Sequence, residues 1–313
     1  MRLPVCIVYG NCQGPALAEV LRASPAFAAE YEVAHVPAVH TITSAQRAEL
    51  EQLVGRAALI VAQPVKSGFR KMQLGTDEIT AAAPTGCRII RWPVLFYQAL
   101  FPYQAYVSFD GRRVNAPFTG AYHDLRVVSC AARGMGLEDG VDWLGSYVPE
   151  EATLRDIVAM VFANVRERER STDIAVFDRV TASSDSHGAS FFTVNHPSRL
   201  TLRYVSEAVH GLLDLPFDDV GTGELLGTIK TPVEGAVANV LGLPGNGVPA
   251  WVINEERIPM ETVFRAQLEF YRERPEVVAS ATEKHEARLA NLGLVHVSDA
   301  PARIAEDDDG SFD

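Results

Sequence analysis

No run of about 18 apolar residues occurs anywhere in the chain, which excludes a spanning helix. The apolar stretch near the N-terminus is too short for a secretory leader and ends in glycine and polar residues, so a cytoplasmic location is expected. Basic residues are outnumbered, 28 Lys and Arg against 40 Asp and Glu, and the net charge of −12 argues against general nucleic-acid binding, which needs a basic face. It leaves room for a local basic pocket around a phosphorylated ligand. Cysteines are few: Cys6, Cys12, Cys87 and Cys130. No two have the close spacing of a zinc site, so no metal is expected, and in a reducing compartment all four are free thiols. There is no G-x-G-x-x-G, no Walker loop and no G-x-S-x-G elbow, which removes support for nicotinamide oxidoreductases, nucleotide hydrolases and ordinary serine hydrolases. No internal repeat is present.

What is present begins at Leu3–Tyr9, an apolar run that stops at Gly10-Asn11-Cys12-Gln13-Gly14-Pro15 and turns at once into a helical pattern. Pro15 suits the first turn of that helix, where a missing N–H costs nothing. A strand that ends in glycine and feeds a helix aims backbone N–H groups at one spot, which binds anions or holds a developing oxyanion. Cys12 is the side chain presented there, and a helix N-terminus favours a thiolate, so a low thiol pKa is expected. Cys6 and Cys87 fall in apolar runs and read as core.

Further strands are expected at Glu32–Val36, Ala57–Ala62, Cys87–Ile90 and Phe191–Val194. Helices are expected over Thr43–Val54, with Thr43 and Gln46 spaced as a capping box, over Glu150–Arg170, from Ser198 to Leu213, and at Thr231–Leu241, Met260–Arg272 and Pro275–Leu292. Alternating strands and helices imply an α/β fold: a small parallel sheet with helices on both faces and a large helical complement. The expected organisation is an α/β core over residues 1–130, a mainly helical part over 131–300 that contributes one further strand and the Asn195-His196-Pro197 loop, and an acidic, disordered tail over 301–313.

Ligands of parallel sheets bind beyond the carboxyl ends of the strands. Three such ends converge: Gly10-Asn11-Cys12-Gln13, Gln63-Pro64 and Arg91-Trp92-Pro93. Asn11, Gln13 and Gln63 are neutral donors suited to an oxyanion, or to capping loop backbone. Lys66, Arg70, Lys71 and Arg91 form a basic cluster at this rim, suited to phosphate or pyrophosphate, or to ordinary surface charge. His196, set between Asn195 and Pro197 just past a strand, completes a nucleophile and base with Cys12. His187, His35 and the pair His123-Asp124 compete less well for that role.

The three motifs, in this order, resemble the WcbI-like capsule polysaccharide biosynthesis proteins over roughly residues 2–243. The resemblance implies coenzyme A or acetyl-coenzyme A as a co-substrate and acetylation of a capsule sugar. It also implies a core distantly like the SGNH (GDSL-type) esterases, which place a nucleophile after the first strand and a histidine late in the chain. Carried over by motif, Cys12 and His196 take those positions; from the placement of the other rim residues, Asn11 and Gln63 are expected to assist them, and Gly10, Gln13, Lys66, Arg70 and Arg91 to hold the cofactor. The sequence departs from the esterase pattern in having cysteine for serine, and Thr193 where an aspartate would precede His196 by three residues. The expected function is O-acyl transfer from coenzyme A to a sugar or polysaccharide-precursor hydroxyl. An esterase or thioesterase, and a non-catalytic coenzyme A- or nucleotide-binding protein, are the alternatives.

Overall fold

Val5–Tyr9 (β1) is buried at every position, as a central parallel strand must be, and the chain leaves it through Gly10 into the helix Gln13–Ala23 (α1). The computed structural model describes residues 2–183, 190–244 and 250–294. A short helix, Pro25–Glu30 (α2), leads to Glu32–Val33 (β2), which pairs parallel to β1. The helix Ser44–Val54 (α3) starts at the expected capping box: Gln46 N donates to Thr43 Oγ1 at 3.3 Å, and Thr43 N donates to Gln46 Oε1 at 3.0 Å. Ala57–Ala62 (β3) pairs with the other edge of β1, and after the helix Thr76–Ala81 (α4), Arg88–Arg91 (β4) pairs with β3.

The sheet order is therefore β2-β1-β3-β4, all parallel. The chain moves to one side of β1, then returns to build on the other. The point of reversal lies between β1 and β3, the place beyond the strand ends where sheets of this kind bind ligands. The Gly10–Cys12 turn and the Gln63-Pro64 turn leave those two strands. One face of the sheet is sealed by Ile7, Tyr9, Ile42, Leu50, Ile60 and Leu74.

The chain divides into two compact units that interleave along the sequence rather than meeting at one cut near residue 130. Among the described residues, the first comprises 2–96, 163–183 and 190–227 and holds the parallel sheet, while the second comprises 97–162, 228–244 and 250–294. The 301–313 tail lies outside the described residues.

In the first unit, Phe191–Thr193 forms a strand as expected but does not join the parallel sheet. It pairs antiparallel with His196–Pro197. Only Val194 and Asn195 separate the two, which suffices for a hairpin and not for the crossover a parallel partner requires. The helix Arg199–Leu212 follows, with Ser198 at its cap position. It is held to the turn between α1 and α2 by His210 Nε2, 2.8 Å from Ser24 Oγ.

In the second unit, Arg126 is buried to 2 % side-chain exposure in a pocket with the ring of Tyr103, 3.9 Å away. It pairs with Asp124 at 2.7 Å and Glu234 at 2.6 Å. The helix expected from Thr231 begins only at Gly235, because Pro232 disfavours helical backbone at Thr231 and Glu234 reaches Arg126. The stretch from Pro275 breaks into Pro275–Lys284 and Glu286–Asn291 at buried His285, whose Nε2 meets the Tyr106 carbonyl at 2.8 Å.

Candidate active site

Gly10 is the first residue of the site, and its backbone must be bare. A Cβ there would come 2.3 Å from Gln63 Oε1. The close approach lets Asn11 N donate to that oxygen at 3.0 Å, which ties the turn after β1 to the turn after β3. Asn11 Oδ1 then accepts from Gln13 N at 2.9 Å and opens α1, with Cys12 at the cap position.

Gln13 and Gln63 are fully buried and bond to each other. Gln63 Nε2 donates to Gln13 Oε1 at 2.7 Å and to the Pro93 carbonyl at 3.3 Å. Gln13 Nε2 donates to the carbonyls of Leu95 and Asn195, both at 2.7 Å, and its Oε1 also accepts from Leu95 N at 3.1 Å. Both side-chain amides are thus fully engaged in joining four chain segments. The geometry corrects the expectation that Gln63 is a free oxyanion donor and that Gln13 contacts a cofactor, since neither has an amide hydrogen to offer. Gly10 likewise makes room for Gln63. Asn11 Nδ2, in contrast, donates to nothing among the described residues.

Cys12 is half-buried. Its Sγ receives Asn195 Nδ2 at 3.8 Å, and the backbone amides of Cys12 and Gln13 add a favourable field for the thiolate. These donors favour the thiolate, but burial outweighs them and pushes the thiol up to about 11. The expected low-pKa thiol is therefore not found: the helix N-terminus helps by less than desolvation costs. Asn195 stands in the Asn195-His196-Pro197 motif, where the sequence points to His196 for the chemistry. Only the fold shows that the asparagine is the side chain aimed at sulfur.

His196 follows in the same hairpin. It bonds the backbone of Leu226, and burial lowers its pKa to about 4, so the ring is neutral at pH 7. Among the competing histidines, His123 is sealed in the second unit, 2.5 Å from the Tyr271 hydroxyl and 2.9 Å from the Val114 carbonyl. His35 is exposed, and His187 lies outside the described residues.

The basic residues sit on the segment after β3 and at the end of β4. Lys66 is exposed and makes no ion pair among the described residues. Arg70 donates from Nη1 to the carbonyls of His40 at 3.0 Å and Ile42 at 2.8 Å. Arg91 pairs with Asp77 at 3.1 Å, on a carboxylate 81 % exposed. None of the three bonds to the Gln13–Gln63–Asn195 network. The segment's backbone is left-handed at Arg70 (φ 52°), Lys71 (φ 58°) and Gln73 (φ 54°), a conformation that non-glycine residues hold at a cost. Cys6 is core, as expected, whereas Cys87 is only half-buried.

No group of three or more His, Cys, Asp or Glu side chains among the described residues is arranged to hold a metal, and no helix among them is long and apolar enough to cross a membrane. A surface cavity of about 830 Å³ in the second unit is lined by Met135, Arg272, Glu283 and Glu286, with neither cysteine nor histidine in its wall.

The fold is shared with a solved structure described as WcbI, a novel polysaccharide biosynthesis enzyme, in its native form without a disulfide bond between coenzyme A and one of its cysteines. That protein is 19 % identical, with a TM-score of 0.77 over 94 % of this chain and 99 % of its own. No curated protein matches the chain. The family model for the polysaccharide biosynthesis enzyme WcbI matches residues 5–218, which contain β1 to β4, Cys12, the Gln13–Gln63 pair and the Asn195-His196 hairpin, and the chain belongs to that family.

Proposed function

We propose that this chain transfers an acyl group, acetyl in the simplest case, from coenzyme A to a sugar hydroxyl during polysaccharide synthesis. The observation that carries the reading is the buried Asn195 Nδ2 aimed at Cys12 Sγ, at the topological switch point of the sheet. A neutral thiol is a weak acceptor, and an amide N–H aimed at this spot beside a helix N-terminus suits negative charge better. The relative with this fold is described by reference to a disulfide between coenzyme A and a cysteine. In this chain Cys12 is the cysteine at the strand end, so the sulfur end of coenzyme A is placed beside it. Lys66 then serves the phosphates, joined by Arg91 once its exposed pair with Asp77 opens, since such pairs are worth about 0–1 kcal/mol. Arg70 adds charge from a guanidinium already anchored to backbone.

Direct transfer is favoured over an acyl-enzyme. The side chain that meets Cys12 Sγ is the amide of Asn195, which cannot take a proton from the thiol. His196, neutral at pH 7, instead takes the proton of the acceptor hydroxyl as that oxygen attacks the thioester.

The test has two stages. Native mass spectrometry of the purified chain with acetyl-coenzyme A reports binding. Radiolabelled acetyl transfer to sugar acceptors then reports chemistry. His196→Ala should slow transfer by about 10²–10⁴ while leaving coenzyme A affinity nearly intact. Binding without turnover on any acceptor or on water would favour a carrier over an enzyme, and a fully active His196→Ala would remove the base from the mechanism.

A further inference from the structure

We propose that Asn195 is the side-chain donor of the reacting centre: its Nδ2 group, aimed at Cys12 Sγ, stabilises the negative charge that develops beside that sulfur. The inference deepens the acyl-transfer reading and rests on it for the reaction, though not for the contact. Asn195 is 3 % exposed, and both its backbone and its side chain are tied down. Its backbone carbonyl accepts from Gln13 Nε2 at 2.7 Å, and its side-chain Oδ1 accepts from Thr193 Oγ1 at 3.3 Å, which leaves Nδ2 towards sulfur at 3.8 Å. Thr193 stands where the esterase pattern has an aspartate, and here its hydroxyl steadies the asparagine.

In the reaction, the acceptor oxygen bonds to the thioester carbon and its proton passes to the His196 imidazole. The carbonyl pair moves onto oxygen, and Asn195 Nδ2 with the unengaged Nδ2 of Asn11 holds that oxyanion. As the C=O re-forms, the C–S bond breaks, and the coenzyme A thiolate leaves with the proton returned by the imidazolium. The products are the sugar ester and coenzyme A thiol, with no further reactant.

The test reads the cysteine directly. Alkylation of Cys12 by iodoacetamide, mapped by peptide mass across pH, gives the thiol's midpoint in the wild-type chain, Asn195→Leu and Asn195→Asp. Both substitutions remove the donor: Asn195→Leu should raise the midpoint by about one pH unit, and Asn195→Asp by more, because its carboxylate also repels the thiolate. Should Asn195→Leu not fold, Asn195→Asp, which keeps shape and volume, carries the measurement. In the transfer assay, Asn195→Asp should lower kcat by about 10² with coenzyme A affinity, measured by calorimetry, within about threefold. An unmoved midpoint beside normal wild-type transfer overturns the role of Asn195 alone. A raised midpoint in a chain that transfers no acyl group upholds the contact and overturns the transfer reading.

Discussion

The side-chain amide of Gln13 donates to the backbone carbonyl of Asn195 at 2.7 Å, joining residues 182 positions apart. Through this bond the hairpin that carries Asn195 and His196 is set against the turn that carries Cys12. The same amide receives Gln63 Nε2, so the ends of β1 and β3 and the hairpin share one buried knot.

That knot depends on bare backbone at Gly10. Gly10→Ala places a methyl where Gln63 Oε1 now lies and breaks its bond to Asn11 N. One buried donor left unpaired costs about 1–3 kcal/mol, so chemical denaturation should show a loss of that size. Gln13→Leu strands two carbonyls and the Gln63 amide and should cost more. Equal stability of Gly10→Ala and the wild type would contradict the packing described.

Thiol reactivity should follow burial, not proximity to the helix N-terminus. At neutral pH, iodoacetamide should label half-buried Cys87 before Cys12, and Cys6 last, because burial holds the Cys12 thiol near 11 and pushes Cys6 higher still. Labelling of Cys12 should then accelerate as pH rises towards 11. Preferential labelling of Cys12 at pH 7 would show that the site is wetter than its surroundings imply.

Coenzyme A binding should respond unequally to the three basic residues. Lys66→Ala should weaken it by about tenfold, the scale of one charge-assisted phosphate contact, and flatten its salt dependence. Asp77→Ala, which releases Arg91, should leave affinity unchanged or tighten it. Isothermal titration at two ionic strengths distinguishes these outcomes, and an unchanged affinity for Lys66→Ala and Arg91→Ala alike would place the phosphates elsewhere.

Acid should destabilise the fold through its buried histidines. His123 has its pKa lowered by burial from 6.5 to about 4, and His285 from 6.5 to about 3. Below pH 6.5 the unfolded chain takes up protons that the folded chain refuses. Their contribution, on the order of 3 kcal/mol for His123, is therefore complete above pH 6.5 and is lost as pH falls towards 4 and 3. Thermal melts from pH 7 to 4 should show Tm falling throughout this window, and His123→Gln should flatten the slope.

Much of this arrangement was legible in the sequence because it is local. An apolar run ending in glycine, then a proline in the first helical turn, specifies strand, turn and helix whatever lies around them. The Thr43–Gln46 box starts its helix by bonds spanning three residues. Alternation of strands and helices specified a parallel sheet, and with it the rim where Cys12, Gln63 and Arg91 end their strands. The order of the three motifs pointed to the family that the chain matches over residues 5–218.

What the tertiary structure decided is everything that depends on which distant segments meet. Whether Cys12 ionises is a balance between donors and desolvation, and its side-chain donor comes from Asn195, 183 residues away. Gln63 and Gln13 look like free amides in any linear reading, and only their mutual burial engages every hydrogen they carry. Arg126, an ordinary helical arginine by pattern, is buried because Glu234 arrives beside it from 108 residues downstream. Local sequence sets backbone geometry through short-range sterics and capping, whereas burial and long-range hydrogen bonding, which set pKa values and the freedom of a donor, exist only once the chain has folded.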